Sequence, residues 1–304
     1  MSRYQIPVSK QPDPVVIQQF RGVDFSADST QVDPSRSPDA LNMIADQAFF
    51  PVKRTGYKRV AQGSGRVWGL HRLTNTAGEW VLAHIGTSLY RLEESGALSK
   101  LCDGMGAAPS QSFVMGDCLY LLDGTTYRQF DGTTVRPVAE VAYIPTVRIG
   151  APPAGGGTDF EAVNLLTSAR KESFQADGSS TAFQLSTNGL DSRAVSATVA
   201  GVAKVEGTDF TVDRTAGKIT FKAAPPKAVQ NVDNVVITYH KTIPDHRKQV
   251  DHCRIFGVYG GKNDTRVFLA GNPEKRNVDW QSGLYDATYF PDTGYTKVGS
   301  DGSA

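Results

Sequence analysis

The sequence predicts an all-β chain: a partial β-propeller with an inserted small β-sandwich domain and an extended N-terminal arm. Three observations carry that expectation. From residue 62 onward, short apolar segments alternate with turns rich in Gly, Asp and Asn. A Gly-Thr…Tyr-Arg motif recurs at residues 86–91 and 124–128, about 38 residues apart, close to the length of one four-stranded propeller blade. Residues 171–242 then change to clean period-two alternation, which suits strands with one apolar and one polar face.

The arm, with its approach to the propeller, occupies residues 1–61. Six prolines lie before residue 52: Pro7, Pro12, Pro14, Pro34, Pro38 and Pro51. Each fixes φ, removes a donor and pushes its predecessor toward extended geometry, so a regular helix or central strand is disfavoured over most of residues 1–40. Val15, Val16, Ile17, Phe20, Val23 and Phe25 could anchor an extended arm on its own subunit or a neighbour, and a disordered terminus is the alternative. One short helix is expected over residues 39–46, with Pro38 at its first turn and Ser37 as its cap. Asp24, Asp28 and Asp33 fit no EF-hand spacing and read as turn and cap residues. Lys53, Arg54, Lys58 and Arg59 form the candidate inter-subunit or phosphate contact, with a solvated turn as the plainer reading.

Residues 62–150 read as two blades of four strands each. The first holds segments beginning at Val67, Trp80, Gly86 and Ala97, and the second at Ser112, Cys118, Gly124 and Thr134. Residues 151–170 read as a Pro/Gly-rich linker, with slight apolar anchoring between Phe160 and Leu166. Residues 171–242 are the inserted sandwich, including a hairpin between Val212 and Lys218. Residues 243–304 return to the propeller, where strands at residues 252–259 and 266–270 begin a third blade. Two blades and part of a third cannot close a ring, so the reading favours a truncated chain.

Composition and motifs restrict the chemistry. Lys plus Arg number 32 against 31 Asp plus Glu, a formal net charge of +1, which excludes a strongly basic nucleic-acid coat as a property of the whole chain. No apolar run reaches the ~20 residues of a membrane span, and no secretory leader pattern is present. Three isolated cysteines, Cys102, Cys118 and Cys253, suit a reducing compartment. The metalloprotease, Cys-x-x-Cys and nucleophile-elbow motifs are all missing. The glycine run at residues 257–263 departs from a phosphate loop in spacing and in its final Asn263, and reads as a turn; the sequon beginning at Asn263 reads as chance. His240, His246 and His252 recur at a spacing that suits neither helical nor strand metal pairs. Two Asp-Gly-Thr-Thr strings, at residues 123–126 and 131–134, lack the rest of a sialidase box and read as hairpin turns. No enzyme activity and no cofactor are expected.

The arm carries a resemblance as well. Its segments are Phe20-Arg-Gly-Val-Asp-Phe25, Pro34-Ser-Arg-Ser-Pro-Asp-Ala-Leu-Asn42 and Pro51-Val-Lys-Arg-Thr-Gly56. They resemble the opening of the tail-nozzle and packaged-DNA-stabilisation proteins of short-tailed phages. There a Pro/Arg/Pro cluster, here Pro34, Arg36 and Pro38, precedes an Asn, here Asn42, and then a Lys-Arg-Pro-Gly-like turn, with Thr55 here in place of Pro. The stretch of residues 152–166, followed by Ser173-Phe174 and Asp177-Gly178, is similar to segments of predicted phage structural proteins. The resemblance implies a longer β-propeller protein, made in the bacterial host cytoplasm and located in the virion, at the tail or head–tail junction. It implies a homo-oligomeric ring that extends the DNA channel and helps retain packaged DNA. Its partners would be a portal or adaptor ring, a tail needle or fibre, and as a candidate the packaged DNA. Two alternatives stand beside it: a receptor- or glycan-binding tail module using Tyr285, Tyr289, Phe290 and Tyr295, and a tail-associated polysaccharide depolymerase, for which no paired acids are recognisable.

Overall fold

The computed structural model describes residues 11–46, 50–261 and 264–299; Pro7, Lys262 and Asn263, and with them the end of the glycine run and the sequon, lie outside the described residues. The chain is all-β, with several antiparallel sheets, none closed. Among the described residues no helix is long and apolar enough to cross a membrane. The chain divides into two compact units, Met1–Val60 and Ala61–Ala304.

The first unit is organised by side-chain turns. Asp24, Asp28 and Asp33 each accept from the amide and the hydroxyl of the residue two positions on: Ser26, Thr30 and Ser35. These are Asx turns, and the hydroxyl and amide donors hold all three carboxyls below the usual carboxylate range. The helix expected over residues 39–46 does not form. Asn42 takes φ 59°, a left-handed conformation that ends a right-handed helix after one turn. The chain continues instead as β1 (Met43–Ala45), paired antiparallel with β2 (Pro51–Lys53).

The second unit opens with two antiparallel meanders. β3 (Val67–Asn75), β4 (Gly78–Ile85), β5 (Ser88–Leu92) and β6 (Leu98–Asp103) pair in chain order. So do β7 (Gln111–Met115), β8 (Cys118–Leu122), β9 (Arg128–Phe130) and β10 (Val135–Pro137). The repeated Gly-Thr…Tyr-Arg motif occupies the same place in both, the turn between the second and third strands. Gly86 (φ 62°) and Gly124 (φ 77°) supply its left-handed residue. Both Asp-Gly-Thr-Thr strings are turns in which the aspartate caps the chain ahead of it: Asp123 accepts from the Thr125 and Thr126 amides, and Asp131 from those of Thr133 and Thr134.

The continuous apolar run Cys118-Leu-Tyr-Leu-Leu122 has a simple cause. β8 is covered on both faces. Leu119 and Leu121 join Leu73, Leu82, Leu89 and Phe130 in one core, while Tyr120 and Leu122 join Tyr127, Leu269, Trp280 and Phe290 in another. A strand buried on both sides cannot alternate.

The chain then leaves the meanders. β11 (Thr146–Ala151), β12 (Thr158–Asp159), β13 (Ala169–Phe174), β15 (Ser196–Val199), β16 (Val202–Val205) and β19 (Val235–His240) form a six-stranded sheet in the order β12-β11-β13-β19-β15-β16. β14 (Ala182–Gln184), β17 (Phe210–Asp213) and β18 (Lys218–Phe221) form a three-stranded sheet, and the hairpin expected between Val212 and Lys218 joins β17 to β18. The two sheets share one core, in which Phe174, Phe183, Phe210, Phe221, Ile237 and Tyr239 are buried. This sheet crosses the boundary expected at residue 150, because β11 pairs with β13 in parallel. The stretch read as a linker supplies β12, and its Leu165 and Leu166 are buried in the core around Trp280.

After the one-turn α1 (Lys248–Asp251), a third meander pairs in chain order: β20 (Ile255–Tyr259), β21 (Arg266–Ala270), β22 (Val278–Gln281) and β23 (Tyr295–Lys297). The first strands of the three meanders lie side by side, β3 against β7 and β7 against β20.

Candidate functional site

The basic run expected to make an inter-subunit or phosphate contact lies in the first unit and is wholly exposed. Lys53 ends β2 opposite Met43, and the Arg54 amide donates to the Asn42 carbonyl. The Arg54 guanidinium sits 5.8 Å from the Tyr57 ring centroid, in reach of a cation–π contact. Lys58 and Arg59 follow in irregular backbone. Four cations are thus presented to solvent on one short segment, the first two fixed by the hairpin.

A different site emerges in the second unit, where the chain enters and leaves the six-stranded sheet. A cleft of about 620 Å³ is bounded by residues 139–144 after β10, residues 163–170 leading into β13, Arg193, and residues 240–248 between β19 and α1. Arg170 projects from β13 and is more than nine-tenths buried. Its Nη2 donates to the Lys241 carbonyl at 3.1 Å, while its Nε has no hydrogen-bond partner among the described residues. The Lys241 ammonium donates in turn to the Asn188 carbonyl. His240 Nδ1 lies 3.1 Å from the Ser168 hydroxyl.

Burial lowers the affinity of both cleft histidines for a proton. Arg193 adds to that effect at His240, and Arg170 and Lys275 add to it at His246, with Asp292 opposing. The acids of the cleft wall are Glu140 and Asp245, and Asp245 is paired with Lys248 at 2.7 Å. Arg247 is paired with Asp251 at 2.8 Å. Among the described residues Arg170, Arg193 and Lys241 make no salt bridge, although Asp191 interacts electrostatically with Arg193, and their positive charge along the wall suits an anionic ligand.

Sequence reasoning reached this place only through His240, His246 and Pro244. Arg170 and Arg193 carried no motif, and β13 reads as an ordinary strand. Of the three histidines at six-residue spacing, two line the cleft, and His252 faces Glu274, its Nδ1 3.8 Å from Oε1. Among the aromatics considered for glycan binding, Phe290 is fully buried and Tyr289 donates to the Ala162 carbonyl. Tyr285 and Tyr295 are exposed.

A second polar cluster ties the first two meanders together. The Ser110 hydroxyl lies 2.9 Å from both His71 Nε2 and His84 Nδ1, and His71 Nδ1 lies 2.8 Å from the Ser112 hydroxyl. Burial, with the neighbouring His84, pushes His71 down to about 4, and burial lowers His84 too. Both rings are therefore neutral at pH 7. His71, His84 and Ser110 are all buried, so the cluster's hydrogen bonds are shielded from water.

No family model matches the chain, no curated protein matches it, and no solved structure matches it.

Proposed function

We propose that this chain is a structural component of a phage virion, at the tail or head–tail junction, where it extends the DNA channel and helps retain packaged DNA. The observation that carries the reading is the repetition of one unit: three four-stranded meanders whose first strands lie side by side. That is how neighbouring blades approach a propeller axis. The meanders are then blades and the two-sheet unit between them is an inserted sandwich.

The arm supports a ring. Val15, Val16, Phe25, Leu41 and Tyr57 are large apolar residues left exposed in the same unit as the basic run. A neighbouring subunit that covered them would bury apolar surface and meet Lys53, Arg54, Lys58 and Arg59 with acidic groups. A near-neutral chain gains little from bulk DNA, so the subunit contact is the larger role of these cations. Portal or adaptor rings and a tail needle or fibre are the neighbours this reading implies.

Electron microscopy of tail complexes carrying a labelled copy tests it. The reading predicts density for the chain as a ring around the channel, and density at a fibre tip would replace it with the receptor-binding alternative, in which Tyr285 and Tyr295 meet a glycan. Reversing Lys53 and Arg54 to Glu should lower incorporation into tails about tenfold while leaving oligonucleotide binding nearly unchanged. Full incorporation by that double variant would reduce the run to a solvated turn.

A further inference from the structure

We propose that the cleft between the meanders and the six-stranded sheet is a binding site for a phosphate-type oxyanion, anchored by Arg170. Three observations on the molecule lead there, and none depends on the virion reading. The first is the cavity itself, about 620 Å³, large enough for a phosphorylated small molecule or a few linked phosphate groups.

The second is the state of Arg170. A guanidinium is always charged and carries five donors in a planar fork. This one is more than nine-tenths buried, yet its Nη2 meets one backbone carbonyl and its Nε meets nothing among the described residues. Burying a charged donor without a partner is unfavourable unless another interaction offsets it. The nearby Glu172 does not bond it: that carboxylate accepts from the Ser186 amide and hydroxyl and from the Tyr239 hydroxyl. An oxyanion in the cleft would meet the edge of the guanidinium that lines it with charge-assisted bonds, while Nε stays enclosed.

The third is the company Arg170 keeps. Arg193 and Lys241 add positive charge from two other segments, and Ser168 and Thr167 bring hydroxyl donors. Opposing charge is mostly committed elsewhere. Asp191 accepts from the Thr242 amide and hydroxyl, though it also interacts electrostatically with Arg193, and Asp245 is held by Lys248. Glu140 is the acid of the lining with no such ion pair among the described residues. Cations and hydroxyls on several sides suit a tetrahedral phosphate better than a flat carboxylate, which one guanidinium can satisfy alone.

Two sources could supply such a group, a small phosphorylated molecule or the phosphodiester of a nucleic acid strand. The test is calorimetric titration of the full chain at low salt with pyrophosphate, and separately with a twelve-residue single-stranded oligonucleotide. The proposal predicts saturable pyrophosphate binding, weakened at least tenfold by Arg170→Gln and about fivefold by Arg193→Ala. Oligonucleotide binding displaced by pyrophosphate would assign the site to nucleic acid, and pyrophosphate binding alone would assign it to a small ligand. Arg193 is exposed, so its variant leaves the fold intact even if the Arg170 variant does not fold. Absence of saturable binding to the wild-type chain, or wild-type affinity in Arg193→Ala, overturns the proposal.

Discussion

The meanders and the two-sheet unit bury their apolar residues in opposite ways. In the two-sheet unit each inward face closes on its own partner sheet. β19 alternates strictly, with Val235, Ile237 and Tyr239 buried and the residues between them half-buried. In the meanders the cores lie between sheets, so β8 contributes to two of them. Residues far apart in sequence must also meet. The Tyr127 amide donates to the Asp251 carboxylate at 3.0 Å, and Asn164 is hydrogen-bonded to Tyr143, Leu166, Thr288 and Phe290. The lesson is that one region carries its core within a contiguous stretch, whereas the other needs the chain on both sides of that stretch.

Core truncations should break this symmetry most strongly. Trp280→Ala removes the largest fully buried side chain, at a cost of about 3–5 kcal/mol. The three tryptophans, Trp68, Trp80 and Trp280, all lie in the meanders, so fluorescence of the remaining two reports that region alone. Urea unfolding followed by fluorescence should shift to lower denaturant, while hydrogen exchange of β13 and β19 stays protected. Phe183→Ala should do the reverse, exposing β13 and β19 and sparing the fluorescence transition. Equal loss in both readouts from either variant would mean one cooperative core.

Acid should act on the meanders next. His71 is held at about 4 by burial, whereas an unfolded histidine titrates near 6.5. Between these values the unfolded chain binds the extra proton, so stability is complete above about pH 6.5 and is lost as pH falls toward 4. The His71 contribution is about 3 kcal/mol. Urea midpoints at stepped pH should show that slope in tryptophan fluorescence, and His71→Asn should flatten it. An unchanged slope in the variant would remove His71 from the account.

Asn164→Ala sharpens the comparison at its hinge. It deprives the Leu166 and Phe290 amides and the Tyr143 and Thr288 carbonyls of their partner, at about 2 kcal/mol. The loss should appear in the meander transition, because Leu165 and Leu166 pack against that core. Its appearance in β13 and β19 exchange instead would place residue 164 in the other region.

Much of this was legible in the residues. Turn chemistry and short apolar runs mark most strands, and the repeated Gly-Thr…Tyr-Arg motif falls at equivalent turns because both need a left-handed glycine. What escaped has physical reasons. β11 reads as the tail of a blade, since parallel pairing with β13 across an intervening stretch leaves no local pattern. The helix expected over residues 39–46 fits the local preferences, and the single left-handed Asn42 overrides them. The cleft was hidden because Arg170, Arg193 and Lys241 are distant in sequence, and their proximity arises only when β13 and β19 pair.

The two-sheet unit holds a core of its own to which β11 contributes Ala151, while β12 pairs at the edge of the sheet. Two fragments decide it, residues 144–243 and residues 168–243, each unfolded in urea under circular dichroism. The longer should show a single cooperative transition, with Ala151 buried against Phe174 and its neighbours. The shorter, stripped of the strand that covers one edge of β13, should be markedly less stable. A featureless longer fragment, or equal midpoints for the two, would contradict the claim.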